Sequence, residues 1–508
     1  MRIVSLLLSS LALAILATPV SAQTDQRYKK ARDLFRDGGE DTSREAARLC
    51  LECNDVEATE IFLDVLGSKG MGPGLPAGHY RDIAWDQMIH ITDPYAQARI
   101  EFELKKNKDN PWLRAWCAQL LGIYGKQDFA ESLGKALRDK DAGVRAAAAE
   151  ALGQIKFPEK SQLRDKMEKA LLKTTKGKDP FERANALIAL MRLSPEKWRV
   201  TMLQAIDGKN SDTDGGVRCA LLGSMPKVDP RGAETISAAA IGDEDWRVRL
   251  QAVEHLAAAR TKTGIDRLID VADDGRPRVR LQTLTFLQEL TGQSFQRKEI
   301  WVNWWKENRA TFTFPEGKAG ASAKVEGDTV AVYNGIRVDS DHVAFLIDKS
   351  AAMREHLSAG GSSKEAFAQK QLAEVLEQLP EGVVFNVYTY ELEVAAFKEK
   401  EPVELDPRSM KKALKFVEDQ RLRGAKDIWQ VLERVVSDPH IDTIYLLSSG
   451  EPDTGKYVHW NRVTEHLKDL NRFHKVVVHT IVYSNNDWYR EQLQKIAEAS
   501  DGEFKWFE

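Results

Sequence analysis

The stretch Val343-Ala-Phe-Leu-Ile-Asp-Lys-Ser-Ala-Ala-Met353 decides how the C-terminal part of this chain folds. Five apolar residues, Val343–Ile347, run without a polar break and stop at Asp348-Lys349-Ser350. That is the pattern of a strand buried on both faces which delivers polar side chains at its carboxyl end. Toward the C-terminus, further strands are expected at Val383–Tyr390, Val394–Phe397, Thr443–Ser448, Val476–Tyr483 and Glu503–Trp506. Helices are expected between them, at about 363–379, 407–421, 427–437, 459–472 and 487–499. Such alternation predicts an α/β, doubly wound, mostly parallel sheet with ligands at the carboxyl edge of its strands. Thr329–Tyr333 and Ile336–Val338 read as a leading strand pair, so this domain spans 328–508. Residues 311–327 lose all periodicity in a run rich in Gly, Ala and charge, which predicts a flexible linker.

Residues 23–310 carry almost no strand signal. They repeat a pair of amphipathic helices, the second of which opens at an arginine before an Ala/Leu face: Arg114, Arg145, Arg183, Arg218, Arg249 and Arg280. The steps between these arginines are 31, 38, 35, 31 and 31 residues. Asp141, Asp179, Asp214, Asp245 and Asp274 precede most of these helices, where a carboxylate can cap free backbone N–H groups. The series resembles the HEAT repeat family, whose second helix opens with a turn Asp and a Val-Arg pair. That resemblance implies an all-α solenoid in which each arginine turns inward to the Asp of a neighbouring turn, rather than a row of anion sites. Trp301, Trp304 and Trp305 fall on one helical face and are expected to cap the stack, a sugar-stacking platform being the alternative.

The C-terminal residues FLIDKSAAM, GAKDIWQVLE, IYLLSSGEP and IAEASDGEF resemble the von Willebrand factor type A (VWA) family. In that family an Asp-x-Ser-x-Ser loop, a Thr from a second loop and an Asp from a third hold Mg²⁺, whose open position takes a partner's carboxylate. Asp348 and Ser350 match the first two ligands, so they are the residual metal-binding candidates. Ala352 stands at the second Ser, Lys426 at the Thr and Ser449 at the Asp. An ammonium beside a dication repels it, and each lost charge term is worth several kcal/mol at ~4 Å and an effective dielectric near 20. The expectation is a degenerate metal-ion-dependent adhesion site (MIDAS) with no cofactor, in which Lys426 reaches toward Asp348. Asp427, Glu451 and Asp453 remain as nearby compensating ligands, and Mg²⁺ is the alternative.

The 508 residues carry 73 Lys+Arg against 77 Asp+Glu, a net charge of -4, with no local basic patch evident in the sequence that would attract nucleic acid. Residues 1–22 combine Arg2, an apolar run Ile3–Ala17 and a small-residue site at Ala22, the pattern of a secretory signal peptide. The run is short of the ~20 apolar residues a spanning helix needs, so no stable membrane insertion is expected after cleavage. The chain is expected to be exported, to the periplasm or beyond, as a bacterial protein of this kind. Cys50-Leu-Glu-Cys53 lies in a helical context without a preceding strand, which favours buried or inert thiols, or an incidental disulfide, over a redox role. Cys117 and Cys219 sit on apolar faces and read as core. No nucleophile elbow, phosphate loop or zinc spacing is present in proper context, so no enzyme is expected.

These readings converge on an exported, non-enzymatic protein–protein interaction scaffold. Its helical stack offers a concave surface, and its VWA domain offers a partner face around Asp348, Ser350, Lys426 and Ser449 to proteins or peptides. The alternative is a metal-dependent envelope adhesin that grips an acidic or glycan ligand through a residual MIDAS.

Overall fold

The computed structural model describes residues 26–37, 39–67, 79–315, 331–357 and 361–508. The signal peptide expected at 1–22, residues 316–327 of the expected linker, and 328–330 at the start of the expected α/β domain lie outside them. The chain forms two compact units, one up to Leu193 and one from Ser194 to Glu508.

The first unit is built from paired helices, among them Pro94–Lys106, Pro111–Tyr124, Ala130–Ala136, Ala142–Leu152, Gln162–Thr174 and Pro180–Leu193. Asp93, Asn110, Asp141 and Ser161 start four of these by accepting a backbone N–H with their side chains. Gly122 and Gly153 let consecutive second helices touch, since a Cβ there would lie 2.7 Å and 2.8 Å from the Cα atoms of Ala151 and Ala189. Arg114 makes a two-pronged ion pair with Asp139, Nε to Oδ2 at 2.8 Å and Nη2 to Oδ1 at 2.7 Å. Asp139 also accepts the N–H of Asp141, which caps the next helix. Arg145 departs from the expected Asp partner and bonds Glu182 at 2.9 Å. Cys50 and Cys117 are buried, and Cys50 and Cys53 are unbridged. Burial pushes the Cys50 thiol up to about 12, which keeps it protonated and unreactive.

The second unit holds the later repeats and the α/β domain. Arg218–Asp243 and Arg249–Asp274 repeat the two-pronged geometry, with four N–O distances between 2.7 and 2.9 Å. Asp214 and Asp245 cap their helices as expected. Asp274 does not: helix Pro277–Thr291 starts after Arg276 with no side-chain cap, and Asp274 instead accepts Arg249 and the N–H of Arg276. Trp301 and Trp305 are buried, and their indole N–H groups donate to Phe295 O and Asp266 Oδ1. With those ring faces inside a cluster of Phe295, Trp304 and Phe312, they are not available as a sugar platform.

The α/β domain has β1 (Val332–Tyr333) paired antiparallel with β2 (Ile336–Arg337). The main sheet comprises β3 (His342–Asp348), β4 (Val384–Tyr390), β5 (Val394–Ala396), β6 (Val403–Glu404), β7 (Thr443–Ser448), β8 (Val477–Tyr483) and β9 (Phe504–Phe507). Their order is β5-β4-β3-β7-β8-β9; β5 and β6 pair antiparallel with β4 and the rest are parallel. β6 has no counterpart in the sequence reading, because two residues are too few to show a period. β3 is flanked by β4 on one side and β7 on the other, so the chain reverses direction there and opens a crevice at the strands' carboxyl ends.

The opposite, amino edge of this sheet is seated on the second helices of the last repeats. Arg276 Nε pairs with Asp442 Oδ2 at 2.8 Å, Lys475 Nζ with Glu254 Oε2 at 2.6 Å, and Arg247 Nη1 donates to Phe473 O at 3.3 Å. The second-helix face of these repeats is therefore in contact with the chain's own α/β domain. Burial, with Lys475, Arg247 and Arg278 respectively, lowers His255, His474 and His479 to about 4, so all three are neutral at this seam.

Replacing Arg114 by Ala should cost about 2–4 kcal/mol in urea unfolding at pH 7, because it strands the Asp139 carboxylate. Burial alone would raise Asp139, but Arg114 and the Asp141 N–H outweigh it and hold it below the usual carboxylate range. That stabilisation is present above the unfolded carboxylate pKa of about 4 and is lost as pH falls through the folded value, so the Arg114 deficit should shrink in acid. The histidines act earlier. Neutral in the fold but protonated when unfolded below about 6.5, they should make stability fall between pH 6.5 and 4, and His474→Asn should flatten that slope.

Candidate functional site

Asp348, Ser350, Lys426 and Ser449, distant in sequence, are brought together at the carboxyl end of β3 and β7. Asp348 ends β3, and its Oδ1 accepts the N–H of Ser350 at 2.7 Å, which bends the chain into the short 3₁₀ helix Ala351–Arg354. Its Oδ2 accepts both the N–H of Ser449 at 2.9 Å and the Ser449 hydroxyl at 2.6 Å. Ser350 Oγ and Ser449 Oγ stand 3.3 Å apart. Asp348 is 0%, Ser350 1%, Lys426 4% and Ser449 5% exposed, so the four lie beneath the surface; Arg423, Gly424 and Asp453 form its exposed rim.

The loop that carries Lys426 is stitched to the Asp348 loop by backbone bonds, Arg423 N–H to Lys349 O at 2.9 Å and Ala351 N–H to Gly424 O at 3.1 Å. The Lys426 ammonium lies 3.3 Å from Ser449 Oγ, 3.6 Å from Asp453 Oδ2 and 4.0 Å from Asp348 Oδ2. It is therefore shared among three oxygens rather than given to Asp348 alone. Asp453 also accepts the Lys426 N–H at 3.0 Å and returns its own N–H to Lys426 O at 3.0 Å. Of the nearby acids, Asp427 caps helix Ile428–Val436, and Glu451 accepts the Tyr489 hydroxyl at 3.4 Å. Gly455, at φ 120°, is required next to that cap, because a Cβ would lie 2.3 Å from Asp427 Oδ1.

Two further contacts carry no local signal in the sequence. Lys349 is buried and pairs with Glu365 Oε1 at 2.8 Å. The buried Tyr390 hydroxyl donates to Leu447 O at 2.8 Å, and burial, then the charge of Asp348, lifts its pKa well above 10.

Mg²⁺ requires near-octahedral oxygen coordination at about 2.1 Å. The atoms here do not fit it, since an ammonium stands among the oxygens, Ala352 offers none, and Ser449 brings a hydroxyl in place of a carboxylate. At the amino edge of the sheet, Asp341, His342 and Asp442 bring ligand atoms within 4.8 Å of one another, but Arg276 already holds the Asp442 carboxylate.

Residues 341–505 match the family model of the von Willebrand factor type A domain, and residues 102–176 that of HEAT repeats. The chain joins a HEAT-like helical region to a VWA domain. A human relative, von Willebrand factor A domain-containing protein 3B, is 24% identical over 172 residues, which is 34% of this chain and 12% of the relative. This chain thus spans only a small part of that relative's length. Among solved structures, a von Willebrand factor type A protein from Catenulispora acidiphila aligns at 16% identity and a TM-score of 0.28, over 34% of this chain and 40% of that one. Human deoxyhypusine hydroxylase aligns at 17% identity and a TM-score of 0.22, over 53% and 95%.

Ser449→Ala removes the shortest donor to a fully buried carboxylate and should cost about 2 kcal/mol in urea unfolding. Ala352→Ser, half-buried at the rim, should change stability by less than about 0.5 kcal/mol.

Proposed function

We propose that this chain is an exported, non-enzymatic protein–protein interaction scaffold whose VWA domain works without a divalent cation. The observation that carries the reading is the Lys426 ammonium, 3.3 to 4.0 Å from Ser449 Oγ, Asp453 Oδ2 and Asp348 Oδ2. It supplies internally the positive charge that a VWA metal ion would bring. The four site residues then fix the shape of a face whose exposed parts are Arg423, Gly424 and Asp453. Partners are proteins or peptides, in keeping with a HEAT-like stack joined to a VWA domain.

Absence of catalysis is supported by the same packing. The Ser449 hydroxyl donates to Asp348 and accepts from Lys426, which engages it internally in a site whose four residues are at most 5% exposed. Export rests on the leader-like residues 1–22, and no described helix is long and apolar enough to cross a membrane.

Calorimetric titration of the full chain with Mg²⁺ and with Mn²⁺ should give no saturable binding below about 1 mM. Micromolar binding abolished by Asp348→Ala would contradict the reading. The triple variant Ala352→Ser, Lys426→Thr, Ser449→Asp should gain Mg²⁺ binding, because it restores two oxygens and a carboxylate and removes the ammonium.

A further inference from the structure

A groove of about 670 Å³ runs between helices Ala130–Ala136 and Gln162–Thr174 of the first unit. Its charge is opposite to that of the chain. Lys135, Arg138, Lys166, Lys169 and Lys173 line it against only Glu131 and Asp165, an excess of five minus two, or three positive charges, on a molecule whose net charge is -4. Lys166 is used internally, paired with Glu131 at 2.7 Å. The other four cations are exposed and make no ion pair among the described residues.

Their spacing forms two rails. Lys166, Lys169 and Lys173 stand at i, i+3 and i+7 on one helix, while Lys135 sits in the last turn of the other and Arg138 in the turn just past its end. Between the rails the floor is apolar. Met167 is buried there beside Ala170, and its thioether lies against Gly134, where a Cβ would come within 2.6 Å of Sδ. The glycine keeps the floor low, and a thioether moulds itself to varied apolar side chains.

We infer that this groove docks an acidic segment of a partner protein, its carboxylates along the lysine rails and an apolar side chain over Met167. The lining holds no aromatic ring on which a nucleic-acid base would stack. A recessed groove also keeps Met167 and Ala170 from entering a membrane surface. The chain's own residues 316–330 do not match, with three acids against two lysines. The inference shares its class of partner with the scaffold reading and uses none of the residues around Asp348, so each stands or fails separately.

The test is fluorescence anisotropy with the full chain and a short labelled probe peptide of Asp and Glu with leucine at every fourth position. The expected result is saturable binding, weakened about tenfold by Lys169→Glu with Lys173→Glu and by Ala170→Trp, which fills the groove without changing charge. Lys411→Glu with Lys412→Glu, the same charge change on an exposed helix of the VWA domain, should alter it less than about twofold. No saturable binding, or equal losses in the groove and control variants, would overturn the inference. So would a single-stranded oligonucleotide or an anionic phospholipid vesicle that binds as tightly through the same lysines.

Discussion

A carboxylate with no exposure to solvent is the constraint from which the VWA end of this molecule follows. An ionised Asp348 left unpaired at the carboxyl end of β3 would cost several kcal/mol. It is held by the N–H groups of Ser350 and Ser449, the Ser449 hydroxyl and, at 4.0 Å, the Lys426 ammonium. Those bonds dictate the turn after β3, tie β7 to it and draw in the loop that carries Lys426. In a domain built around Mg²⁺ the cation would organise the same three segments. Here a covalently attached ammonium, that of Lys426, stands among the oxygens of those segments, 3.3 to 4.0 Å from Ser449, Asp453 and Asp348.

The helical region obeys the same rule at lower intensity. Each two-pronged Arg–Asp pair joins one repeat to the turn of the next, and the Asp orders the following turn through a backbone N–H. The chain applies that chemistry again where Arg276 meets Asp442, at the seam between repeats and sheet. The second compact unit therefore continues past the last repeat into the α/β domain, and the second-helix surface of those repeats is spent on an internal contact.

Much of this is legible in the sequence. Strands β3, β4, β7 and β8 fall within a residue of their expected ends, because buried strands are dense in β-branched, aliphatic and aromatic residues even where Asn386 or His479 interrupts the run. The helix starts at Asp141, Asp214 and Asp245 were legible because a cap is a local interaction. What could not be read is non-local. Asp274 looked like another cap, and only the approach of Arg249 makes it a ladder acid. Glu182 stands opposite Arg145 where Gly177, six residues before Arg183, occupies the place that Asp139, Asp243 and Asp274 hold six before Arg145, Arg249 and Arg280. Asp453 was legible as an acid near the site, but its role as a partner of both the backbone and the ammonium of Lys426 depends on how two loops are packed. The seam itself has no periodic signature, since it is a match between two surfaces distant in the chain.

The most direct measurement is an anomalous-scattering map from crystals of the full chain soaked in Mn²⁺. The account predicts no anomalous peak beside Asp348 and a Lys426 ammonium within hydrogen-bond reach of Ser449 Oγ. A peak coordinated by the Asp348 carboxylate and Ser350 Oγ, with Lys426 turned out to solvent, would contradict it.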